Sequence, residues 1–393
     1  MWLIAIAFLV LPGLPEAQGA SNGAQAPEPS YRAALLVEAD TGQVLSSYEP
    51  HRPWPMASVT KMMLMLLVGE KLKEGSLRLT DSVIVSRRAS KIGGSQAYLK
   101  EGESFPVGEL MKAIVIHSAN DACVAVAEHV AGSAEGMVEL MNQRAAALGM
   151  KDTQYHSVHG LPPEPGQQED VSTAFDLALL AQQLARYPQI LRWSSTVEDS
   201  FRGGKFQLLN TNKLLLRFPG VDGLKTGFYG KAGHNLVATA KRNGMRFIAV
   251  VLGASSSGVR FTEAARLLSR GFNGYERVMV VRQGSPVGEM MPVIDGKRGS
   301  IRPVAARDGV LLIPKGQGKN IKTAFVPLAP SLAAPVPKGK KLGTVQISLD
   351  GQSPVEVAAI AAEEVPQSSL LWRILVKLFY FLKEMVGKLI SSL

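Results

Sequence analysis

Hydrophobic residues along this chain change their spacing several times, and each change marks a different kind of element. Lys61-Met62-Met63-Leu64-Met65-Leu66-Leu67-Val68 is a block of strong helix formers with no glycine before Gly69 and almost no polar face. It predicts a buried helix. Pro53 and Pro55 hold the backbone extended just upstream, so the helix should open near Ser58, with that serine in its first turn. A second helical stretch opens at Asn120, and the small apolar residues of 122–127 suit tight packing between neighbours. Beyond residue 220 the pattern turns strand-like. Apolar runs at 221–228, 235–240 and 246–252 are separated by Gly230-Lys231-Ala232-Gly233 and by Asn243-Gly244, which predicts an antiparallel meander. A helix is expected over 261–270, and a domain boundary near Gly274-Tyr275. Short runs at 278–282, 300–304, 310–313, 322–326, 343–348 and 355–360 follow, divided by turns such as Pro314-Lys315-Gly316 and Pro337-Lys338-Gly339. Spacing near ten residues predicts a small all-β sandwich.

The two ends read differently. Residues 2–11 form an apolar stretch too short to span a bilayer, followed by Pro12-Gly13 and by Ala17-Gln18-Gly19-Ala20. This predicts a secretory signal peptide over 1–20, with 21–30 a flexible leader. From 370 to 393 large apolar residues surround a narrow wedge made by Arg373, Lys377, Glu384 and Lys388, with Lys383 at its edge. Charges on nearly every turn make spanning costly. A wide face with Trp372, Phe379 and Phe381 opposite a basic strip predicts a helix lying in the membrane interface, with anionic inner-membrane lipid as its partner. A helix packed on its own protein, or dimerising, is the competing expectation. Pro366 and Glu363-Glu364 detach the segment from what precedes it.

Composition narrows the field. The chain has 393 residues, 46% hydrophobic and 19% charged, enough for a large core and a second domain. A net charge of +10 suits anionic lipid or cell-wall polymers. Nucleic acid is not expected, because lysine and arginine are spread along the chain without a recognition motif. The lone Cys123 excludes an intramolecular disulfide. The six histidines show neither an H-x-x-x-H pattern nor a Cys/His pairing, so no metal and no cofactor are expected.

Three short strings carry the candidate chemistry. In Ser58-Val59-Thr60-Lys61 a spacing of three puts both side chains on one helix face. A serine hydroxyl becomes a nucleophile only when a base takes its proton. Lysine serves as that base only when burial or neighbouring cations pull its pKa far down. A helix start also aims free N–H groups at a forming oxyanion. A capping serine and a solvated lysine would have the same spacing, but 62–67 leave almost no polar surface for one. Ser118-Ala119-Asn120 reads equally as ordinary helix capping or as a proton relay by Ser118 with the Asn120 amide on a substrate carbonyl. Lys225-Thr226-Gly227 ends a strand. The lysine on an exposed edge could hold an anion, and the glycine lets a substrate backbone lie alongside; a hairpin with a solvated lysine is the plainer alternative. Each string occurs once, and in this order.

S-x-x-K, S-D-N and K-T-G together are a known signature of penicillin-recognising serine enzymes. Nearly the whole chain resembles the low-molecular-mass penicillin-binding proteins, the serine-type D-alanyl-D-alanine carboxypeptidases. Pro55-Met56-Ala57-Ser58-Val59-Thr60-Lys61-Met62-Met63, Val221-Asp222-Gly223-Leu224-Lys225-Thr226-Gly227, Lys231-Ala232-Gly233-His234-Asn235-Leu236-Val237-Ala238, His159-Gly160-Leu161-Pro162 and Ser172-Thr173-Ala174-Phe175-Asp176-Leu177-Ala178 all carry the likeness. The resemblance implies an α+β, multi-domain fold. A DD-peptidase-like catalytic domain (31–275, antiparallel sheet plus helical region) would precede an all-β sandwich domain (276–365) and a C-terminal amphipathic helix (366–393). It also implies an acyl-enzyme on Ser58 with the penultimate D-Ala of a peptidoglycan stem peptide. Lys61, Ser118 and Asn120 would assist, Lys225, Thr226, Gly227 and Phe228 would bind substrate, and β-lactam antibiotics would inhibit. Such enzymes are exported and act peripherally at the outer face of the cell membrane.

Two departures stand out. Ala119 replaces the glycine usual in this subgroup, and Asn210-Thr211-Asn212-Lys213 lacks the arginine often found between two asparagines. More of the carboxylate grip would therefore fall on Lys225. Rival readings are a DD-endopeptidase, a class A β-lactamase and a non-catalytic wall-binding protein. Glu164-Pro165-Gly166-Gln167-Gln168 only begins like the deacylating Glu-x-x-x-Asn segment of the lactamases. The intact Ser58, Lys61, Ser118, Asn120 and Lys225 argue against a vestigial site.

Overall fold

The structure, a computed structural model, describes residues 28–350 and 354–391. The signal peptide expected over 1–20 and residues 21–27 of the leader lie outside the described residues.

Five antiparallel strands form the central sheet: β1 (Ala33–Glu38), β2 (Val44–Tyr48), β3 (Val221–Tyr229), β4 (Gly233–Arg242) and β5 (Met245–Ala254), in the order β2-β1-β5-β4-β3. The predicted meander is β3-β4-β5. The sheet is buried on both faces, so its residues alternate between two cores rather than between core and water. Ala34, Leu36, Leu236, Phe247, Ala249 and Val251 pack on one side with Phe261, Leu267 and Leu268. Ala33, Leu35, Val37, Ile248 and Val250 face the helical region on the other.

That helical region contains α1 (Lys61–Glu74), α2 (Asn120–Ala131) and α3 (Ala174–Leu184). Met62, Met63, Leu64, Met65 and Leu66 of α1 are wholly buried, each contributing about 1.5–3 kcal/mol. No side chain caps the helix start, so tertiary burial holds α1 in place. Ser58 falls one turn short of its expected position. A 3₁₀ turn, Ala57–Thr60, precedes α1, and Ala57 is held at φ +50°, which an α-helical residue cannot adopt. On the opposite face of the sheet runs α4 (Ser257–Gly274), longer at both ends than the predicted 261–270 and capped by Ser256 Oγ on the Val259 N–H.

Tyr275 opens a strand immediately after α4. The all-β part has a four-stranded sheet (Pro303–Ala305, Val355–Ala361, Lys341–Ser348, Lys322–Pro327), a pair (Tyr275–Val281 with Gly309–Pro314) and a three-stranded sheet containing Met291–Ile294 and Leu332–Ala333. The run expected at 300–304 breaks at Arg302, where the following proline removes a ladder donor. Arg277 joins this part to the central sheet by donating to Gly244 O at 2.6 Å and to Asp40 Oδ2 at 3.2 Å.

The last element is α5 (Leu370–Ser391). Leu371, Trp372, Leu378, Phe381, Leu382, Met385 and Val386 are exposed along it. Among the described residues no helix is long and apolar enough to cross a membrane.

Candidate active site

The Ala57–Thr60 turn presents Ser58 at the start of α1. Lys61 Nζ donates to Ser58 Oγ at 2.8 Å and to the His159 carbonyl at 2.6 Å. Lys61 is completely buried. Desolvation holds its pKa at about 8, although the Asp170 carboxylate pulls it upward. This is the poised amine that the spacing required.

Ser118 sits in the left-handed region at φ +67°, after a π-type turn, Ala113–His117, and before α2. Its hydroxyl and Asn120 Oδ1 are buried without a protein partner. Such orphaned polar atoms are rare in folded proteins. The Asn120 amide spends one N–H on Gly93 O at 2.7 Å, so its unfilled atom is an acceptor. Asp121, which sequence reasoning passed over, fixes the loop that carries Gly93. Its buried carboxylate accepts the Ala97 and Leu99 N–H groups, each at 3.0 Å.

The third string lies on β3, which is the sheet edge as expected, but Lys225 is not exposed there. Only 1% of it reaches solvent, and its Nζ donates to Thr226 O at 3.0 Å. Burial, then the charges of Lys61 and Arg260, hold its pKa well below the usual lysine value. Thr226 Oγ1 donates to Thr211 Oγ1 at 2.6 Å, so a hydroxyl stands in the Asn-Thr-Asn segment where an arginine is common. Asn210 and Asn212 frame that segment by donating to Ser194 O, Thr196 O and Gly223 O. Gly227 is required: a Cβ there would meet Met56 O at 2.6 Å and Ser58 N at 3.1 Å. Phe228 stays at the rim, 58% exposed, with its ring stacked on His234 at 4.2 Å.

The fold thus brings the Lys61 amine to Ser58, sets Gly227 against the Ser58 N–H and buries Lys225 within the field of Lys61, while the Phe228 ring stays exposed. It adds residues the sequence did not flag. Arg260 of α4 donates to Gly227 O and Asn235 O, and burial lowers its pKa to about 10. Asn235 donates to Pro55 O and Met56 O, pinning the nucleophile turn on the sheet. Among the described residues no group of three His, Cys, Asp or Glu side chains could hold a metal. A serine hydroxyl on a buried, depressed amine, with Lys225 and Arg260 buried nearby, has the chemistry that acyl transfer to serine would require.

Comparison with known proteins agrees. Residues 20–256 match the D-alanyl-D-alanine carboxypeptidase family, and residues 275–367 match the C-terminal domain of penicillin-binding protein 5. The chain is 35% identical over 373 residues to the D-alanyl-D-alanine carboxypeptidase DacF of Bacillus subtilis, covering 94% of this chain and 95% of that protein. Penicillin-binding protein 5 of Haemophilus influenzae is similar in structure, with a TM-score of 0.75 and 31% identity over 88% of this chain and all of that one. Penicillin-binding protein D2 of Listeria monocytogenes, in an ampicillin-bound form, has a TM-score of 0.57 and 30% identity over 63% of this chain and 99% of that one. With both matched regions in register with the folded units, the chain belongs to the D-alanyl-D-alanine carboxypeptidase family and is a serine-type hydrolase of that family.

Proposed function

We propose that this carboxypeptidase removes the terminal D-alanine of a peptidoglycan stem peptide through an acyl-enzyme on Ser58. The observation that carries the reading is the 2.8 Å contact between Ser58 Oγ and an amine that burial holds near 8. In its neutral form Lys61 takes the Ser58 proton while Oγ attacks the penultimate D-Ala carbonyl. The oxyanion faces free N–H groups of the nucleophile turn. Ser118 passes the proton from Lys61 to the leaving amine, D-alanine departs, and water hydrolyses the ester. Asn120 holds the peptide bond, the strand edge at Gly227-Phe228 lies along the substrate backbone, and Lys225 with Thr226 holds the free carboxylate.

β-Lactams acylate the same serine on this reading, which the ampicillin-bound relative supports. Intact-protein mass spectrometry after incubation with penicillin should give one adduct, on the peptide containing Ser58, and Ser58→Ala should abolish it. An adduct on another serine would sink the assignment.

The division into a catalytic unit (31–275), a β unit (276–365) and a terminal helix (366–393) is supported by the α4-to-strand junction at Gly274-Tyr275. Residues 1–20 are proposed as an export signal. The exposed apolar side chains of α5 support peripheral attachment to anionic lipid at the extracytoplasmic face of the membrane.

A further inference from the structure

Residues 156–170 form a strap whose inner edge touches Lys61 and whose outer edge faces a cavity of about 450 Å³, lined in part by Arg88, Val124, His156 and His159. Asp170 holds both ends of this strap. Its Oδ1 accepts the His156 N–H at 2.6 Å and the Ser157 N–H at 2.8 Å, and its Oδ2 accepts the Ser157 hydroxyl at 2.6 Å. Ser157 Oγ then accepts the Gly160 N–H at 2.8 Å, which presents the His159 carbonyl to Lys61 Nζ. The Asp170 backbone carbonyl takes the Met56 N–H at 3.0 Å, two residues before the nucleophile. Gly160 is fixed by contact, since a Cβ there would lie 2.0 Å from Ala57 O. One residue therefore joins the two: the Asp170 backbone carbonyl holds the nucleophile turn, and its buried carboxylate holds the strap whose His159 carbonyl anchors the amine.

We infer that Asp170 is a positioning residue for acylation: through the strap it sets where the Lys61 amine sits against Ser58. This rests on the reading of Lys61 as the base. Four groups bear on the amine. The Asp170 carboxylate favours its protonated form. The Cys123 thiol, pushed up to about 11, stays neutral. The Lys225 amine is buried beside it, and the His159 imidazole, held down at about 4, carries no charge at neutral pH. Around Asp170 itself lie His156 and the phenols of Tyr155 and Tyr229, both pushed up in pKa and so neutral. Burial raises the Asp170 pKa while three donated hydrogen bonds work to keep it ionised.

The test is the pH dependence of the penicillin acylation rate in the full chain, for wild type, Asp170→Asn and Ser157→Ala, with thermal melting recorded for each. The wild-type rate should rise along an acidic limb as Lys61 loses its proton. Asp170→Asn removes a charge that favours the ammonium, so the limb should move about half a pH unit or more to lower pH. Its plateau should drop roughly tenfold or more as the strap relaxes toward the cavity. Ser157→Ala keeps the charge and breaks the link, so its plateau should fall while the limb stays in place. If Asp170→Asn lowers the melting temperature but keeps the wild-type limb and plateau, Asp170 only stabilises the fold and the inference is overturned. A wild-type profile with no acidic limb would instead remove Lys61 as the base, a failure read from the wild type alone.

Discussion

Lys61 sets the terms at the residue scale. Its folded pKa of about 8 lies below the ordinary 10.5, so between those values the unfolded chain binds the extra proton. Stability therefore rises with pH across roughly 8 to 10.5, and below that window the full penalty of burying the charge remains. Replacing the amine by an apolar chain of similar length should relieve it. Lys61→Met is expected to be inactive toward penicillin yet more stable at pH 7 by about 1–3 kcal/mol, measured by urea denaturation. A less stable variant would mean that the bonds to Ser58 and His159 outweigh desolvation. Lys225 tests the other end of the substrate. A buried ammonium on a carboxylate contributes roughly 1.5–3 kcal/mol, so Lys225→Ala should lower kcat/KM on a D-Ala-D-Ala peptide about ten- to a hundredfold. Unchanged efficiency would transfer the grip to Arg260 or to the Thr226–Thr211 pair. Ser58, Lys61, Ser118, Asn120 and Lys225 could be picked out as candidates because each sits in a short string of fixed spacing. Asp121, Asp170 and Arg260 could not, because they act by holding backbone groups that no local pattern encodes.

Elements were easiest to read where one pattern ran unbroken. The apolar block after Ser58 and the meander after residue 220 folded as their periodicity required. Prediction slipped where backbone geometry overrides propensity: at Ala57, whose positive φ keeps the α-helix from starting before Lys61, and at Pro303, which breaks a strand in two. The exposure of Lys225 was misjudged for a related reason. Edge position belongs to the strand, whereas burial depends on the helices packed against that end of it. The terminal helix α5 is joined through Ser368, whose N–H and hydroxyl both donate to Asp295 O. Truncation before Ser368 should leave peptide hydrolysis unchanged, since the candidate catalytic residues all lie far upstream. The full-length chain should sediment with anionic vesicles more than with neutral ones, and high salt should weaken this without abolishing it. Full-length protein left in the supernatant at low salt would exclude the anchor and favour a packed or dimerising helix.

For the whole molecule, the helix-to-strand junction at Gly274-Tyr275 was visible as a change from helical to strand periodicity. How the two parts meet was not, because Arg277 reaches Asp40 and Gly244 across more than thirty positions in sequence at the least. The chain also carries a probe of its own interior. Its one cysteine, Cys123, is wholly buried and lies within the fields of both Lys61 and Lys225. A thiol so enclosed reacts with an external disulfide reagent only when the domain opens, so its labelling rate measures how often the catalytic core breathes. Closing a covalent adduct over Ser58 should slow that clock several-fold relative to the free enzyme, read by absorbance in one cuvette. Equal rates with and without penicillin would mean that the helices part on the side away from the cleft. In either case the cysteine times the opening of the core without any engineered label.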